Sequence, residues 1–187
     1  MTIEYNLPTN LTLLRIALIP LLVIVFYLPW DYSNLVSTII FAIAGFTDWL
    51  DGYLARKMHL ETDFGAFLDP VADKLMVAIV LVLIVHAEDS IALTVASSII
   101  IGREITIASL REWMAEIGQR AQVKVSVLGK WKTTAQMLAI GFLLFKHDLW
   151  GLPVSLIGHW LLYLAALLTI WSMVNYLSAA LTAIEKQ

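Results

Sequence analysis

The 187-residue sequence contains no cysteine and few charged residues, and both deficits narrow the possible functions. Without cysteine there are no disulfides, no thiolate metal ligands and no cysteine nucleophile. Charged residues make up 14% of the chain, whereas soluble domains average about a quarter. No run of basic residues of the kind that binds nucleic acid is present, and the net charge is only -3. A disulfide-stabilised, thiol-dependent or nucleic-acid-binding protein is therefore not expected.

Apolar residues are in excess instead. They make up 60% of the chain, and the mean hydropathy is +0.81. The core of a small soluble domain has no room for this much apolar surface. The residues that precede the first apolar run lack the basic region of a signal peptide, so we expect that run to remain as a helix. The composition predicts an all-α integral membrane protein that forms a single domain over residues 1–187.

Six apolar segments reach or approach the roughly 20 residues with which an α-helix crosses a membrane. They cover 10–29, 34–56, 64–86, 90–112, 131–146 and 154–182, and the fifth is the shortest. Pro8 precedes the first segment, beside Thr9 and Asn10 as possible N-caps. Pro20 is expected to kink this segment without ending it, because helices in lipid tolerate proline. The sequence thus predicts six transmembrane helices.

The third segment has two possible starting points. Asp69-Pro70 resembles an N-cap followed by proline at the first helical position. Alternatively, the helix begins near Gly65 and contains Pro70. Both interpretations leave Asp69 and Asp73 within about one turn of each other.

The distribution of lysine and arginine predicts the orientation. If the N-terminus is inside, eleven of the twelve basic residues lie on the inner half, and only Lys146 lies outside. The outer loops contain Asp31, Glu88, Asp89 and Asp148 instead. Because basic residues accumulate on the cytoplasmic side of membrane proteins, both termini are predicted to be cytoplasmic.

The charged residues within the segments all lie in their inner halves. At a rise of about 1.5 Å per residue, Asp51 and Asp69 lie about 8–10 Å from the inner ends, and Asp48, Asp73 and Arg103 about 13–15 Å. A charge at mid-bilayer costs at least ~2.5–3.5 kcal/mol, so such residues usually face a partner or water. We expect a cavity that opens to the cytoplasm. Ion pairs that hold the helices together are the alternative, although the carboxylates outnumber the nearby cations.

Two pairs of aspartates form the centre of this polar half. Asp48 and Asp51 share a helix face at i, i+3, and Asp69 and Asp73 do so at i, i+4. The second and third segments are antiparallel, so both pairs are expected at similar depth. Carboxylate oxygens suit Mg²⁺ or Mn²⁺ better than zinc. Two such ions on carboxylates are an established arrangement for displacement at phosphorus.

The spacing of these aspartates resembles a family signature. The chain reads Asp-Trp-Leu-Asp-Gly-Tyr-Leu-Ala-Arg from Asp48, then eight residues, then Gly-Ala-Phe-Leu-Asp-Pro-Val-Ala-Asp up to Asp73. This run matches the pattern D-x2-D-G-x2-A-R-x8-G-x3-D-x3-D at all eight fixed positions and at every spacing. The sequence therefore resembles the CDP-alcohol phosphatidyltransferases. The likeness covers nearly the whole chain, including the lead-in from Asn6 to Arg15.

The resemblance implies a role for each matching residue. The ligands of two divalent cations, Mg²⁺ or Mn²⁺, would be Asp48, Asp51, Asp69 and Asp73. Asp73 would also be the general base. A second set would bind CDP-diacylglycerol: Asn10, Thr12, Arg15, Gly52, Arg56 and Thr62. From the residues alone, two alternatives stay open. Arg56 also suits an interfacial anchor, and Gly52 also suits close helix packing.

The acceptor is indicated by a different part of the chain. Three runs resemble the branch of the family whose acceptor is sn-glycerol 3-phosphate: 102–105, 109–112 and 129–136. Arg103 and Arg111 lie two turns apart on the fourth segment and, with Lys130, are expected to form an anion pocket that faces the aspartates. For Arg103 a structural ion pair with an aspartate or Glu104 is the alternative. For Lys130 it is an interfacial anchor.

The predicted reaction joins CDP-diacylglycerol and sn-glycerol 3-phosphate to give phosphatidylglycerophosphate and CMP. The resemblance also implies a homodimer in the bacterial inner membrane, surrounded by membrane lipids, with the active site facing the cytoplasm. Another acceptor is the nearest alternative: phosphatidylglycerol, inositol phosphate or serine. A cation- or proton-coupled carrier is a more remote alternative. Such a carrier predicts polar groups in both leaflets and often internal repeats, and the sequence shows neither. The aromatic residues of the last segment are expected to face lipid or a second subunit.

Overall fold

The computed structural model describes residues 6–58, 62–116 and 127–184, with all their side chains except those of residues 55, 56, 63, 66, 127–132 and 179–184. This part of the chain folds into six α-helices. They are α1 (Leu7–Tyr27), α2 (Ser33–Met58), α3 (Asp63–Ala87), α4 (Ile91–Glu116), α5 (Val127–Phe145) and α6 (Val154–Ile184). Each end lies within about four residues of the predicted segment, so the predicted all-α fold is confirmed.

Four stretches of these helices are long and apolar enough to cross a membrane. They are Leu7–Tyr27, Ser33–Leu54, Ile91–Glu116 and Val154–Ser178. Within α5, Thr133–Phe145 is a shorter apolar helix. Four of the predicted spans therefore coincide with helices that have the length and composition of a membrane span.

The first helix begins earlier than predicted. Asn6 is its N-cap, and the side-chain oxygen of Asn6 accepts a hydrogen bond from the backbone N–H of Thr9 at 3.0 Å. Pro8 lies in the first turn, where a missing N–H costs nothing because that group would have no helical partner. The prediction that Thr9 or Asn10 caps the helix is thus wrong. The helix runs through Pro20 without ending, as predicted.

The third helix begins before its proline. Thr62 is the N-cap, and its hydroxyl accepts a hydrogen bond from the backbone N–H of Gly65 at 3.0 Å. Pro70 consequently lies inside the helix, which confirms the second of the two interpretations. Asp69 and Asp73 are both helical and lie on the same face, one turn apart.

The bundle separates an apolar half from a polar half. Helix α1 packs against α2 and α3, while α6 packs against α4 and α5. The apolar core takes its residues from alternate ends of successive helices, as antiparallel neighbours require; its members include Leu22, Ala44, Val80, Ile84, Leu93, Ile100, Ile140, Leu143 and Leu162. The opposite ends of the same helices hold the predicted site residues. The fold therefore gathers those residues at one end of the bundle.

Candidate active site

Arg15 lies at the centre of the aspartate group. Its side chain is 1% exposed and donates hydrogen bonds to the carboxylates of Asp51 and Asp73. Its Nη1 also lies 2.9 Å from Oδ1 of Asp48. The buried face of α1 places Arg15 here, one turn from the buried Thr12. Three of the four predicted aspartates thus contact one guanidinium group.

The fourth aspartate is joined to this group through Thr12. The Thr12 hydroxyl donates a hydrogen bond to Asp69 and lies 3.3 Å from Oδ2 of Asp51. Because Thr12 and Arg15 share a face of α1, one helix contacts carboxylates from both α2 and α3. The four aspartates form a single cluster, although they lie on two different helices.

The aspartates differ in their access to solvent. The side chain of Asp51 is 2% exposed, whereas those of Asp48 and Asp73 are 43% and 46% exposed. Both exposed carboxylates line a cavity of about 410 Å³, and its apolar wall includes Gly45 and Met137. Asp48 and Asp73 are therefore the members of the cluster that a bound substrate reaches most easily.

The predicted arginines of α4 line the same cavity. Arg103 and Arg111 both line it, together with Ser172 and Tyr176 of α6. Arg103 also forms an ion pair with Glu104 at 2.7 Å, so the structural pairing that the sequence left open is present as well. Asp48, Asp73 and the two arginines therefore line the same cavity.

The remaining predicted residues lie near the start of α1 and α3, late in α2, or outside the part whose side chains are described. Asn10 is exposed on the first turn of α1. The Thr62 hydroxyl lies 3.5 Å from that of Thr9, which brings the starts of α1 and α3 together. Gly52 follows Asp51 on α2 and is partly buried. Two predicted side chains lie outside the described residues, those of Arg56 and Lys130.

Comparison with known proteins decides the family. Residues 5–171 match the family described as CDP-alcohol phosphatidyltransferase. The chain belongs to the CDP-alcohol phosphatidyltransferase family. The resemblance inferred from the aspartate signature is confirmed, and the match extends from the start of α1 into α6.

Similar bacterial proteins carry the name CDP-diacylglycerol–glycerol-3-phosphate 3-phosphatidyltransferase. The protein of this name from Haemophilus influenzae is 55% identical over 177 residues, which cover 95% of this chain and 94% of the relative. Those from Salmonella choleraesuis and Shigella flexneri serotype 5b are 53% and 51% identical, each over 95% of this chain and 96% of the relative. Together with the apolar helices, these relatives indicate a bacterial membrane enzyme of phospholipid biosynthesis.

Members of this family generally use divalent cations, and the side chains of this site have ligand atoms that suit such ions. Its ligand atoms are carboxylate oxygens, as hard cations prefer. The cluster contains four carboxylates and one guanidinium, so it has an excess of formal negative charge. In the described part of the chain, no three acidic or histidine side chains are already arranged to hold an ion. The residues fit divalent cations in type and charge.

Tyr176 is one of the cavity residues that sequence reasoning missed. The aromatic residues of the last segment were expected to face lipid or a second subunit, and Trp160 and Trp171 are indeed exposed. Tyr176 instead lines the cavity together with Ser172, one turn earlier. A signal was available: these two polar residues are spaced i, i+4 at the same end of the bundle as the predicted arginines.

Proposed function

We propose that this protein transfers the phosphatidyl group of CDP-diacylglycerol to sn-glycerol 3-phosphate, giving phosphatidylglycerophosphate and CMP. The observation that carries the proposal is the cavity that Asp48 and Asp73 line together with Arg103 and Arg111. A phosphorylated acceptor held by the arginines would present its hydroxyl to the carboxylates. The names of the relatives describe the same reaction.

Asp73 is the proposed general base. Its carboxylate faces the cavity and is oriented by Arg15. It would take the proton from the glycerol hydroxyl while that oxygen attacks the phosphorus bonded to diacylglycerol. The new phosphorus–oxygen bond forms as the bond to CMP breaks, and CMP leaves with the electron pair of that bond. No covalent enzyme intermediate is required.

The four aspartates would hold the two divalent cations, Mg²⁺ or Mn²⁺. When bound, these ions would neutralise the charge of the pyrophosphate and of the departing CMP. Asp51 is the buried member and has the least freedom to move, while Asp48 is reached directly from the cavity. We therefore propose Asp48, Asp51, Asp69 and Asp73 as the ligand set.

The donor nucleotide would lie where α1 and α3 begin. The short distance between the Thr9 and Thr62 hydroxyls supports this placement, because it puts two helix N-termini side by side. Backbone N–H groups at such ends favour phosphate. The proposed contacts on the nucleotide are Asn10, Thr12, Arg15, Gly52, Arg56 and Thr62.

The acceptor phosphate would bind at the arginines that line the same cavity. Arg103 and Arg111 can donate charge-assisted hydrogen bonds to its oxygens, and such bonds are about twice as strong as neutral ones. Lys130 is proposed as the third cation of this subsite. This arrangement favours a phosphorylated acceptor over an acceptor that carries no phosphate, such as serine.

The expected result of a direct assay is selective CMP release. Purified protein given CDP-diacylglycerol and Mg²⁺ or Mn²⁺ should release CMP with sn-glycerol 3-phosphate. It should release little with phosphatidylglycerol or serine, since the arginines favour a small phosphorylated acceptor, and little with inositol phosphate, since the names of the relatives specify glycerol 3-phosphate. EDTA should stop the release, and added Mg²⁺ should restore it. Release with one of the other acceptors alone would overturn the choice of acceptor, and no release with any of them would overturn the proposed function.

We further propose that the single domain crosses the bacterial inner membrane six times as a homodimer, with both termini and the cavity mouth in the cytoplasm. The apolar core and the polar cavity lie at opposite ends of the helices. This separation supports an orientation in which the charged ends of the helices lie on the same side of the membrane. Arg15, Arg103 and Arg111 line the cavity at the polar end, as expected for the cytoplasmic side.

The absence of cysteine permits a clean test of this orientation. Asp148→Cys places a thiol in the loop before α6, and Glu116→Cys places one at the end of α4. In intact cells, a membrane-impermeant maleimide should label the first variant and not the second, because only the first thiol faces outward. After permeabilisation both should react. The reverse pattern in intact cells would require the opposite orientation.

A further inference from the structure

The two arginines of the cavity share one aromatic neighbour. The guanidinium carbon of Arg103 lies 5.9 Å from the ring centre of Tyr176, and that of Arg111 lies 5.5 Å from it. Nη2 of Arg111 also donates a hydrogen bond to the Tyr176 hydroxyl at 3.0 Å. Because the arginines are two turns apart on α4, their backbones are separated by about 12 Å. Their side chains nevertheless converge on this single ring of α6.

An aromatic ring can orient a cation without neutralising it. The face of the ring attracts a guanidinium group through its quadrupole, whereas a carboxylate would compete with an incoming phosphate for the same hydrogen bonds. The two arginines differ in this respect. Arg103 has an ion pair with Glu104 at 2.7 Å, while no described carboxylate forms an ion pair with Arg111. Tyr176 therefore holds Arg111 in place and leaves its charge available to a ligand.

Helix α6 supports Arg103 through a second residue. Nη2 of Arg103 lies 3.4 Å from the hydroxyl of Ser172, one turn from Tyr176 on the same face. The Ser172 hydroxyl donates to the backbone carbonyl of Thr169 at 3.2 Å, so its oxygen lone pairs remain directed toward Arg103. The inner end of α6 thus orients both arginines, although neither Ser172 nor Tyr176 carries a charge.

We propose that Tyr176 is a positioning residue for the acceptor. It holds Arg103 and Arg111 as a converging pair that binds the phosphate of sn-glycerol 3-phosphate in the cavity that Asp48 and Asp73 also line. This inference rests on the proposed function of the cavity. The proposal gives α6 a role in acceptor selection. The aspartate signature lies on α2 and α3 and therefore does not indicate this role.

Steady-state kinetics of Tyr176→Leu and Tyr176→Phe test the assignment. Tyr176→Leu removes the ring and should raise the KM for sn-glycerol 3-phosphate about tenfold, because the arginines lose their common support. Tyr176→Phe keeps the ring and loses the hydrogen bond, so a rise of about threefold is expected. The kcat and the KM for CDP-diacylglycerol should stay within about twofold of the unmodified protein, because this contact acts on acceptor binding alone.

Two further variants separate the possible outcomes. Trp171→Leu removes an exposed aromatic residue from the same helix outside the cavity and should leave all constants unchanged. Arg111→Gln should raise the KM for the acceptor. If it does so while both Tyr176 variants leave that KM unchanged, the role of Tyr176 is wrong and the proposed function stands. If the unmodified protein releases no CMP with sn-glycerol 3-phosphate, the proposed function itself fails.

A general structural role has a different signature. It would lower kcat and raise both KM values in Tyr176→Leu, and that result would overturn the assignment. If the leucine variant does not fold, Tyr176→Phe decides the question. A rise confined to the KM of the acceptor supports the assignment, and an unchanged KM overturns it.

Discussion

Asp73→Asn is expected to lower the turnover of CDP-diacylglycerol by at least about a thousandfold, since a positioned general base typically contributes a factor of 10² to 10⁴. An amide cannot accept the proton of the glycerol hydroxyl, and it is also a weaker ligand for a divalent cation. Asparagine has nearly the same size as aspartate and keeps one oxygen that can accept the hydrogen bond from Arg15. The fold should therefore survive. CMP release under saturating substrate measures the effect.

The matched control for this substitution is Asp148→Asn. Asp148 is an exposed carboxylate in the loop before α6, outside the residues that line the cavity. Its replacement should leave turnover unchanged, and nucleotide binding by Asp73→Asn should remain measurable. Ordinary turnover by Asp73→Asn would rule out the base assignment.

Arg15→Gln is expected to make the stability of the protein depend on divalent cations. Arg15 contacts three carboxylates, and one of them, on Asp51, is 2% exposed. Removing one partner of a buried ion pair costs about 3–5 kcal/mol, because it leaves the other charge without compensation. In EDTA the free energy of unfolding should fall by about this amount. With Mg²⁺ the loss should be smaller, because the ions would supply the missing positive charge.

Thermal unfolding in detergent, with EDTA and with Mg²⁺, measures this dependence. Lys146→Gln removes a basic residue from the opposite end of the bundle and should behave like the unmodified protein in both conditions. The loss of stability in Arg15→Lys should be intermediate between those of Arg15→Gln and Lys146→Gln. Lysine keeps the charge but loses the two-pronged geometry of the guanidinium group. If Arg15→Gln loses equal stability with and without Mg²⁺, then Arg15 does not take the place of a cation among the aspartates.

Local patterns account for what could be predicted about the fold. The apolar runs fall within about four residues of the observed helices, because the length of an apolar run reflects the thickness of the bilayer. Helix starts were less reliable. Asn6 caps α1, whereas Thr9 or Asn10 was predicted, because several side chains near a proline are equally suitable caps in sequence.

The aspartate pairs were predictable for the same local reason. Asp48 with Asp51, and Asp69 with Asp73, each lie within a turn of one helix, so their spacing alone places each pair on one face. The signature that they form also led to the family, which the match over residues 5–171 confirms. Which residues bind the donor and which bind the acceptor remain predictions that the experiments above address.

The sequence by itself determined the helices, the two pairs of carboxylates that each share a helix face, and the family. Each of these depends on residues a few positions apart. Only the tertiary structure decided what those residues contact. Arg15 reaches Asp51 and Asp73 across 36 and 58 positions, and Arg111 reaches Tyr176 across 65. Such contacts depend on which helix faces pack together, and α6 is so uniformly apolar that periodicity does not reveal which of its faces meets α4. Side-chain partners that are distant in sequence are therefore a property of the packed bundle.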